Sequence, residues 1–459
     1  MAKKTKDMTS GALMPQIIAF SIPLALTGLL QLVYNAADMM VVGRYAGSRS
    51  LAAVGATAML VNLTVNLFIG LATGSGVVVA RNIGAGDGQS VHRAVHTTML
   101  LSIVSGIVVM GIGIGLSPTF LRWMSTPDDI IDLSVLYLKI YFSGAPANMI
   151  YNYGAAILRA NGDSKRPFIF LTSAGLINIA LNLVFVIRFN LDVAGVAYAT
   201  IISQYISAVC VVAALAGSSG IIRLSFRKLR FYKKELGEII RIGLPAGIQG
   251  SLFSISNVLI QSSINSFGSV VIAGNTAAAN IDGIIYVCCN AVSQSAMTFS
   301  SQNYGAGKID RIKRTYADCM LAATVLSVSM CALFYLLRVQ LLGIFTTDPK
   351  VIAAGSVRLG IMAATYWLDT FMDVTTGQLR GMGRSVSPMI VTVVGVCVFR
   401  TIWLMTIFRK FHTLEVIYYS YPASWIITVA ALLVCYFYAY RSISRKKESR
   451  WKNETPCTG

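Results

Sequence analysis

Long apolar runs recur along the chain, separated by short polar breaks. Ile17 to Val42, Val270 to Phe299 and Ser424 to Tyr440 are three of them, and at about 1.5 Å per helical residue such runs reach across a hydrocarbon layer about 30 Å thick. The pattern predicts twelve spanning helices, at 14–43, 51–80, 90–118, 130–156, 168–188, 194–217, 239–267, 271–300, 315–344, 351–379, 388–408 and 415–440. An even number of spans returns both termini to one side. With the basic residues at span ends counted in the adjoining loops, that side holds 27 Lys and Arg, the other side holds 8, and three (Lys139, Arg358, Arg400) lie deeper inside spans. This asymmetry places the termini and the basic loops in the cytoplasm of a multi-pass cell-membrane protein.

Slid against itself by 221 residues, the chain shows an internal repeat: Asn82, Gly84, Ala85 and Gly86 fall on Asn303, Gly305, Ala306 and Gly307. At the same offset Leu158, Arg159, Gly162, Ser164 and Pro167 fall on Leu379, Arg380, Gly383, Ser385 and Pro388, and one residue further off Pro23, Gly28 and Asn35 fall on Pro245, Gly250 and Asn257. Each half holds an even number of spans, so the copies enter the membrane from the same side and are related by an axis along its normal, an arrangement found in transporter folds. The expected organisation is a cytoplasmic N-terminus (1–13), a first six-helix lobe (14–218), a basic cytoplasmic linker (219–238), a second lobe (239–440) and a basic cytoplasmic tail (441–459).

Composition agrees. Hydrophobic residues make up 55% and charged residues 12%, against roughly 25% charged in a soluble domain. The net charge of +19 sits mostly in loops between spans, so it reads as a topology signal and no nucleic-acid partner is expected. The linker from Arg223 to Lys234 reads as a stretch that sets topology and touches anionic lipid. The cysteines fall mostly inside spans without a C-x-x-C pair, which supports neither a disulfide framework nor a zinc site. The first apolar run is too long for a signal-peptide core and no small-residue cleavage site comes after it, so the first helix is expected to be retained.

Amide and ionisable side chains are costly in hydrocarbon and face a protein interior or a wet cavity. Here they recur at helical spacing. Asn62 and Asn66, Asn148 and Asn152, Asn178 and Asn182, and Asp369 and Asp373 are i, i+4 pairs, and Ser254, Asn257, Gln261 and Asn265 form a stripe in the seventh span. A single asparagine also serves as glue between helices, worth roughly 0.6–2 kcal/mol; five co-facing sets together suggest a wet cavity between the lobes. The expected cavity residues are Asn35, Asn62, Asn66, Asn148, Asn152, Asn257, Gln261, Asp282, Asp369 and Asp373. Asp282 lies about 15 Å along its helix, near the midplane. Asp38 lies toward the outer end of the first span, as a cavity acid or an interfacial residue, and Asp369 and Asp373 face the cavity or pair with Arg400. A carboxylate withdrawn from water binds a proton or a cation more readily, which is what ion-coupled antiport requires. Ion and cargo then shift the balance between facing states by their differential affinities.

Other signals carry less. His92 and His96 read as a solvated basic face, since no third ligand or H-E-x-x-H accompanies them. Gly84-Ala85-Gly86 and Gly305-Ala306-Gly307 read as turns, not as phosphate loops. No nucleophile elbow or metal motif stands in the loops, and no enzyme activity and no cofactor beyond a coupling ion are expected.

From about Met14 to Tyr440 the chain resembles the multidrug and toxic compound extrusion (MATE) family. The resemblance rests on Ile22-Pro23, on Asp38-Met-Met-Val-Val-Gly43-Arg44, on Gln302-Asn-Tyr-Gly-Ala-Gly307 and its copy Arg81-Asn-Ile-Gly-Ala-Gly86, and on Leu158-Arg-Ala-Asn-Gly-Asp163. Asp192-Val-Ala-Gly-Val-Ala-Tyr-Ala-Thr200, Leu379-Arg-Gly-Met-Gly383 and Tyr421-Pro-Ala-Ser-Trp425 also look like family motifs. It implies an all-α integral membrane fold of twelve transmembrane helices in two six-helix lobes, V-shaped about a central cavity. It also implies export of cationic, amphipathic drugs in exchange for protons or sodium. Asp38 matches the first-helix acid of the family's cation site, and Asn178 and Asn182 match a fifth-helix pattern in which many members carry Asn followed four residues later by Asp. Asn182 therefore removes one carboxylate from the cation-coupling set of Asp38, Asn178 and Asn182. The seventh-helix glutamate of one branch is missing, its stretch holding Asn257 and Gln261, and Asp369 or Asp373 stands in for that branch's tenth-helix acid. The expected partners are small organic molecules and membrane lipids, and the expected state is a monomer. The alternatives are a flippase for a lipid-linked or amphipathic substrate, which calls for a basic cavity, and a membrane-embedded transferase, which calls for catalytic residues in sizeable loops.

Overall fold

The structure, a computed structural model, describes residues 7–124 and 126–454. The first six residues of the expected N-terminal segment and the last five of the tail lie outside the described residues. Helices α1 (Leu13–Val41), α2 (Ser48–Gly84), α3 (Gly88–Trp123), α4 (Asp128–Ser143), α5 (Ala145–Ala160), α6 (Lys165–Leu183), α7 (Asp192–Ala216) and α8 (Lys233–Asn265) are followed by α9 (Ser269–Gly305), α10 (Ile309–Leu336), α11 (Arg338–Gly343) and α12 (Pro349–Gly381). The segments α13 (Val386–Thr392), α14 (Phe399–Trp403) and α15 (Arg409–Phe411) are joined by π-turns at Val393–Val398 and Leu404–Phe408 into one span, and α16 (Leu414–Glu454) ends the chain's described part. Among the described residues there is no strand. With no water inside a bilayer, only such self-satisfied backbones cross it.

Among the described residues ten helical stretches are long and apolar enough to span a membrane, and α4 with α5 makes an eleventh. That span is broken where a continuous helix over 130–156 is expected. Pro146 opens α5 and has no N–H to continue the ladder of α4, and the two segments meet at 45°. The remaining expected span, α8, has the length but carries the polar stripe that lowers its apolar content.

The chain forms two compact units, one containing 20–254 and the other 8–19 with 255–459. α1 and α8 each begin in one unit and continue into the other. The repeat is visible in both units as matching helix ends. Gly86 and Gly307, 221 apart, sit at φ 70° and 66°, a conformation glycine adopts without strain. Each closes the same cap: Gly86 N–H donates to Ile83 and Asp87 N–H to Asn82, while Gly307 N–H donates to Tyr304 and Lys308 N–H to Asn303. Gly162 and Gly383 repeat this pattern after α5 and α12, and Gly47 and Gly268, with matching left-handed φ, precede α2 and α9. The short Gly-Ala-Gly signals are thus the turns that close α2 and α9. Asp87 then caps α3, its carboxylate accepting from Ser90 N–H at 2.9 Å, and that bond holds it below the usual carboxylate range.

In the first unit α8 crosses α2 at backbone contact. A Cβ on Gly70 would lie 2.1 Å from Gly247 N, and one on Gly74 would lie 2.6 Å from Gly243 N, the close approach that small residues permit in membranes. The α7–α8 linker is tied down as well. His96 is fully buried; its Nδ1 lies 2.7 Å from His92 O and its Nε2 accepts from Ser225 N–H at 3.0 Å. Ile222 and Leu224 are buried beside it. The expectation of a solvated histidine face fails because the linker covers it. In the second unit α9 packs along α12, where a Cβ on Gly274 would lie 2.7 Å from Gly355 N. Residues Met8 to Gly11 are held by Arg311, whose guanidinium donates to the carbonyls of Met8, Ser10 and Gly11.

Candidate functional site

Asp38 lies one turn before the end of α1, and Asn178 and Asn182 lie one turn apart on α6. Helical periodicity alone brings the two amides to one face, and tertiary packing brings that face to the acid. Asn182 Nδ2 donates to Asp38 Oδ1 and to Asn178 Oδ1 at 3.3 Å. Asn178 Nδ2 lies 3.5 Å from Thr200 Oγ1 on α7, and with its amide turned over it donates to Asp38 Oδ1 at 2.9 Å. Both asparagines are buried, Asp38 is half-buried, and Asn182 Oδ1 is buried without a hydrogen-bond partner. Around them packs an apolar cluster that includes Val41, Val42, Tyr137 and Val186. Among the described residues the ion pairs of this unit are Arg81–Glu238 and Arg166–Asp163; neither involves Asp38. One unmatched carboxylate, two amide oxygens and a hydroxyl form an oxygen set of the kind hard cations take. The carboxylate alone suffices for a proton.

The other expected residues of this unit divide into separate contacts. Asn152 Nδ2 donates to Asn148 Oδ1 at 2.8 Å and to its carbonyl at 2.9 Å, and Asn66 Nδ2 donates to Ser254 Oγ at 3.2 Å. Asn35 and Asn62 are exposed.

In the second unit the polar interior is denser and is matched in charge. Asp282 is 5% exposed and paired with Arg358, whose Nε and Nη2 each lie 3.0 Å from Asp282 Oδ2. Arg358 Nη1 donates to Asn275 Oδ1 at 2.7 Å, and Tyr418 donates to the same oxygen at 3.0 Å. Asn275 Nδ2 donates to Gln261 Oε1, and Gln261 Nε2 to Asn265 Oδ1. One network thus ties α8, α9, α12 and α16, while Asn257 is exposed. Asp369 and Asp373 are half-buried on α12. Arg400 acts electrostatically on the first and Arg380 on the second.

A family model, MatE, matches residues 23–184 and again 245–405. The chain belongs to the MatE family. The two matched segments are the two copies of the repeat, and the match, together with the apolar helices, makes the chain a multi-pass membrane protein. Curated relatives include "Probable multidrug resistance protein YoeA" of Bacillus subtilis, 27% identical over 94% of each chain. "Multidrug export protein MepA" of Staphylococcus aureus is 22% identical over 91% of this chain and 92% of its own. Among solved structures, a MOP superfamily transporter from Pyrococcus furiosus, described as having a binding pocket of reversed polarity, superposes with TM-score 0.88 at 23% identity, covering 97% of this chain and 99% of its own. A MATE protein in a bent conformation superposes with TM-score 0.88 at 23% identity, covering 98% and 99%. The fold of this MatE chain is thus the twelve-helix fold of the family.

Thr200, Asn275 and Tyr418 are partners that the sequence pattern does not mark. Arg358 is visible there as a cation inside a span, without a role. A lone arginine within an apolar helix demands a counter-charge, and that demand was the available signal for its pairing with Asp282.

Proposed function

We propose that the chain exports small, cationic, amphipathic organic compounds in exchange for protons or sodium, by alternating access. The reading places it in the cell membrane as a monomer with cytoplasmic termini, surrounded by lipid, with the organic compound as its cargo. The carrying observation is Asp38, held by Asn182 and Asn178 in an apolar surround with no cation paired to it among the described residues. An unmatched acid in such a place is stable only when it takes up a proton or a small cation, and that uptake is the coupling event. The names of the relatives support the cargo: multidrug resistance for one and multidrug export for another. A flippase for anionic lipid-linked cargo would use unmatched basic residues, whereas Arg358 faces Asp282, Arg400 acts on Asp369 and Arg380 acts on Asp373.

The test uses purified protein in liposomes under an imposed proton or sodium gradient. Organic cations should dissipate one of the two gradients, and Asp38→Asn should abolish that response while the protein remains folded by thermal melting. Coupled export that survives the substitution would remove Asp38 from the mechanism.

A further inference from the structure

Arg400 lies in an aromatic enclosure within the second unit. Its guanidinium carbon stands 4.0 Å from the ring centre of Tyr421 and 5.7 Å from that of Trp425, and its Nε donates to Ser424 Oγ at 2.9 Å. Trp425 meets Tyr421 edge-on at 5.7 Å and Tyr366 at 5.6 Å. Arg400 and Trp425 are each 4% exposed, whereas Tyr421 and Asp369 are half-buried, and the Asp369 carboxylate accepts a hydrogen bond from Trp425 and feels the charge of Arg400. Aromatic faces around a delocalised cation, with a carboxylate nearby, are the means by which proteins recognise guanidinium and quaternary ammonium groups.

Two further observations set this arrangement apart from ordinary packing. The helix is interrupted by a π-turn at Val393–Val398 immediately before Arg400, whereas 172–177, one repeat earlier, lies in the unbroken helix α6. A π-turn absorbs an extra residue and rotates the helix beyond it by about 100°, and it therefore sets the face on which Arg400 emerges. Positions 178–180 of the first copy, Asn178, Ile179 and Ala180, carry no charge. In addition, the offset of 221 that relates the copies puts Thr200 of the Asp38 site on Tyr421 of the enclosure. Thr200 thus stands beside Asn178 in the first copy and Tyr421 beside the Arg400 guanidinium in the second.

We propose that Tyr366, Asp369, Tyr421 and Trp425 form a binding box for a delocalised organic cation, and that Arg400 occupies it as a tethered stand-in which the cargo displaces. The inference rests on the export of organic cations argued above and names where the cationic head of the cargo binds.

The test is equilibrium binding of benzyltrimethylammonium and of methylguanidinium to the purified full-length protein, without gradients, so a protein that couples to no ion still reports on the box. Arg400→Gln should bind both probes about tenfold more tightly than the parent, and adding Tyr421→Ala should remove that gain. Arg400→Lys, which keeps a cation on the helix but loses the planar stack, should show a smaller gain and serves if the glutamine variant does not fold. As a second measurement, methylguanidinium should raise the melting temperature of Arg400→Ala more than that of the parent. Affinities for Arg400→Gln or Arg400→Lys no tighter than the parent's, or equal thermal shifts, would overturn the box.

Discussion

At the scale of single residues, the difference between Asn182 and an aspartate decides the charge of the Asp38 site. With an amide there, the site carries at most one negative charge, and one proton or one monovalent cation neutralises it. Asn182→Asp would set a second carboxylate within hydrogen-bonding distance of Asp38, and two like charges in an apolar surround do not both remain bare. That variant should exchange one more positive charge per organic cation, read as a shift in the reversal potential of transport in proteoliposomes. An unchanged stoichiometry would show that position 182 does not face the coupling ion. The pairing of Asn178 with Asn182 was legible because helical spacing is a local property. Thr200 near Asn178 was not, and although Arg358 called for a counter-charge, its choice of Asp282 was not: the first contact joins residues 22 apart and the second residues 76 apart, and only the packing of separate helices brings them together.

Among elements, the crossing of α2 and α8 is set by glycine on both sides. Because a Cβ on Gly70 would fall 2.1 Å from Gly247 N, Gly70→Val forces the backbones apart and should destabilise the protein by about 1–3 kcal/mol or more. Gly55, on the same α2, has open space around its Cβ, so Gly55→Ala should instead stabilise by roughly 0.5–1 kcal/mol. Melting temperatures in detergent distinguish the two, and a harmless Gly70→Val would mean that the helices are not in backbone contact. The ends of the helices differ in another way. Asp87 caps α3 through Ser90 N–H, whereas Lys308, one repeat later, begins α10 without a side-chain cap. The cap lowers the pKa of Asp87, so its stabilisation is present above the ordinary carboxylate pKa and is lost as pH falls through the lower folded value. The protection of the Ser90 amide against hydrogen exchange, relative to its intrinsic rate at each pH, should therefore fall below the ordinary carboxylate range, and Asp87→Asn should flatten that response. The spans themselves were legible from apolar runs. The break before α5 had a visible cause in Pro146, but the π-turns around Arg400 carry no proline or glycine pair to announce them, Gly395 being the single glycine within them.

For the molecule as a whole, the two copies share a frame and differ in charge. The frame is the set of left-handed glycines at 47, 86 and 162, repeated at 268, 307 and 383, and it was half legible, since the repeat was visible while the backbone conformation that makes each glycine necessary was not. On that frame the first copy keeps an unmatched acid, Asp38, beside Asn178 and Asn182. In the second copy Asp282, Asp369 and Asp373 each have an arginine acting on them, and the positions 221 residues after Asn178 and Asn182 hold Phe399 and Trp403. If coupling belongs to the unmatched acid alone, neutralising a matched pair in the second copy leaves coupling intact. Asp282→Asn by itself strands Arg358 in an apolar interior and should cost about 3–5 kcal/mol. Asp282→Asn with Arg358→Gln removes both charges together and should recover most of that loss, because the desolvation of an unpaired charge, rather than the attraction within the pair, dominates the single variant. In liposomes the double variant should still dissipate the same ion gradient on addition of an organic cation, with the same ion-to-cargo ratio as the parent. A folded double variant that transports without coupling would assign ion exchange to both copies, and the charge matching of the second would then be part of the transport cycle rather than a resting structural feature.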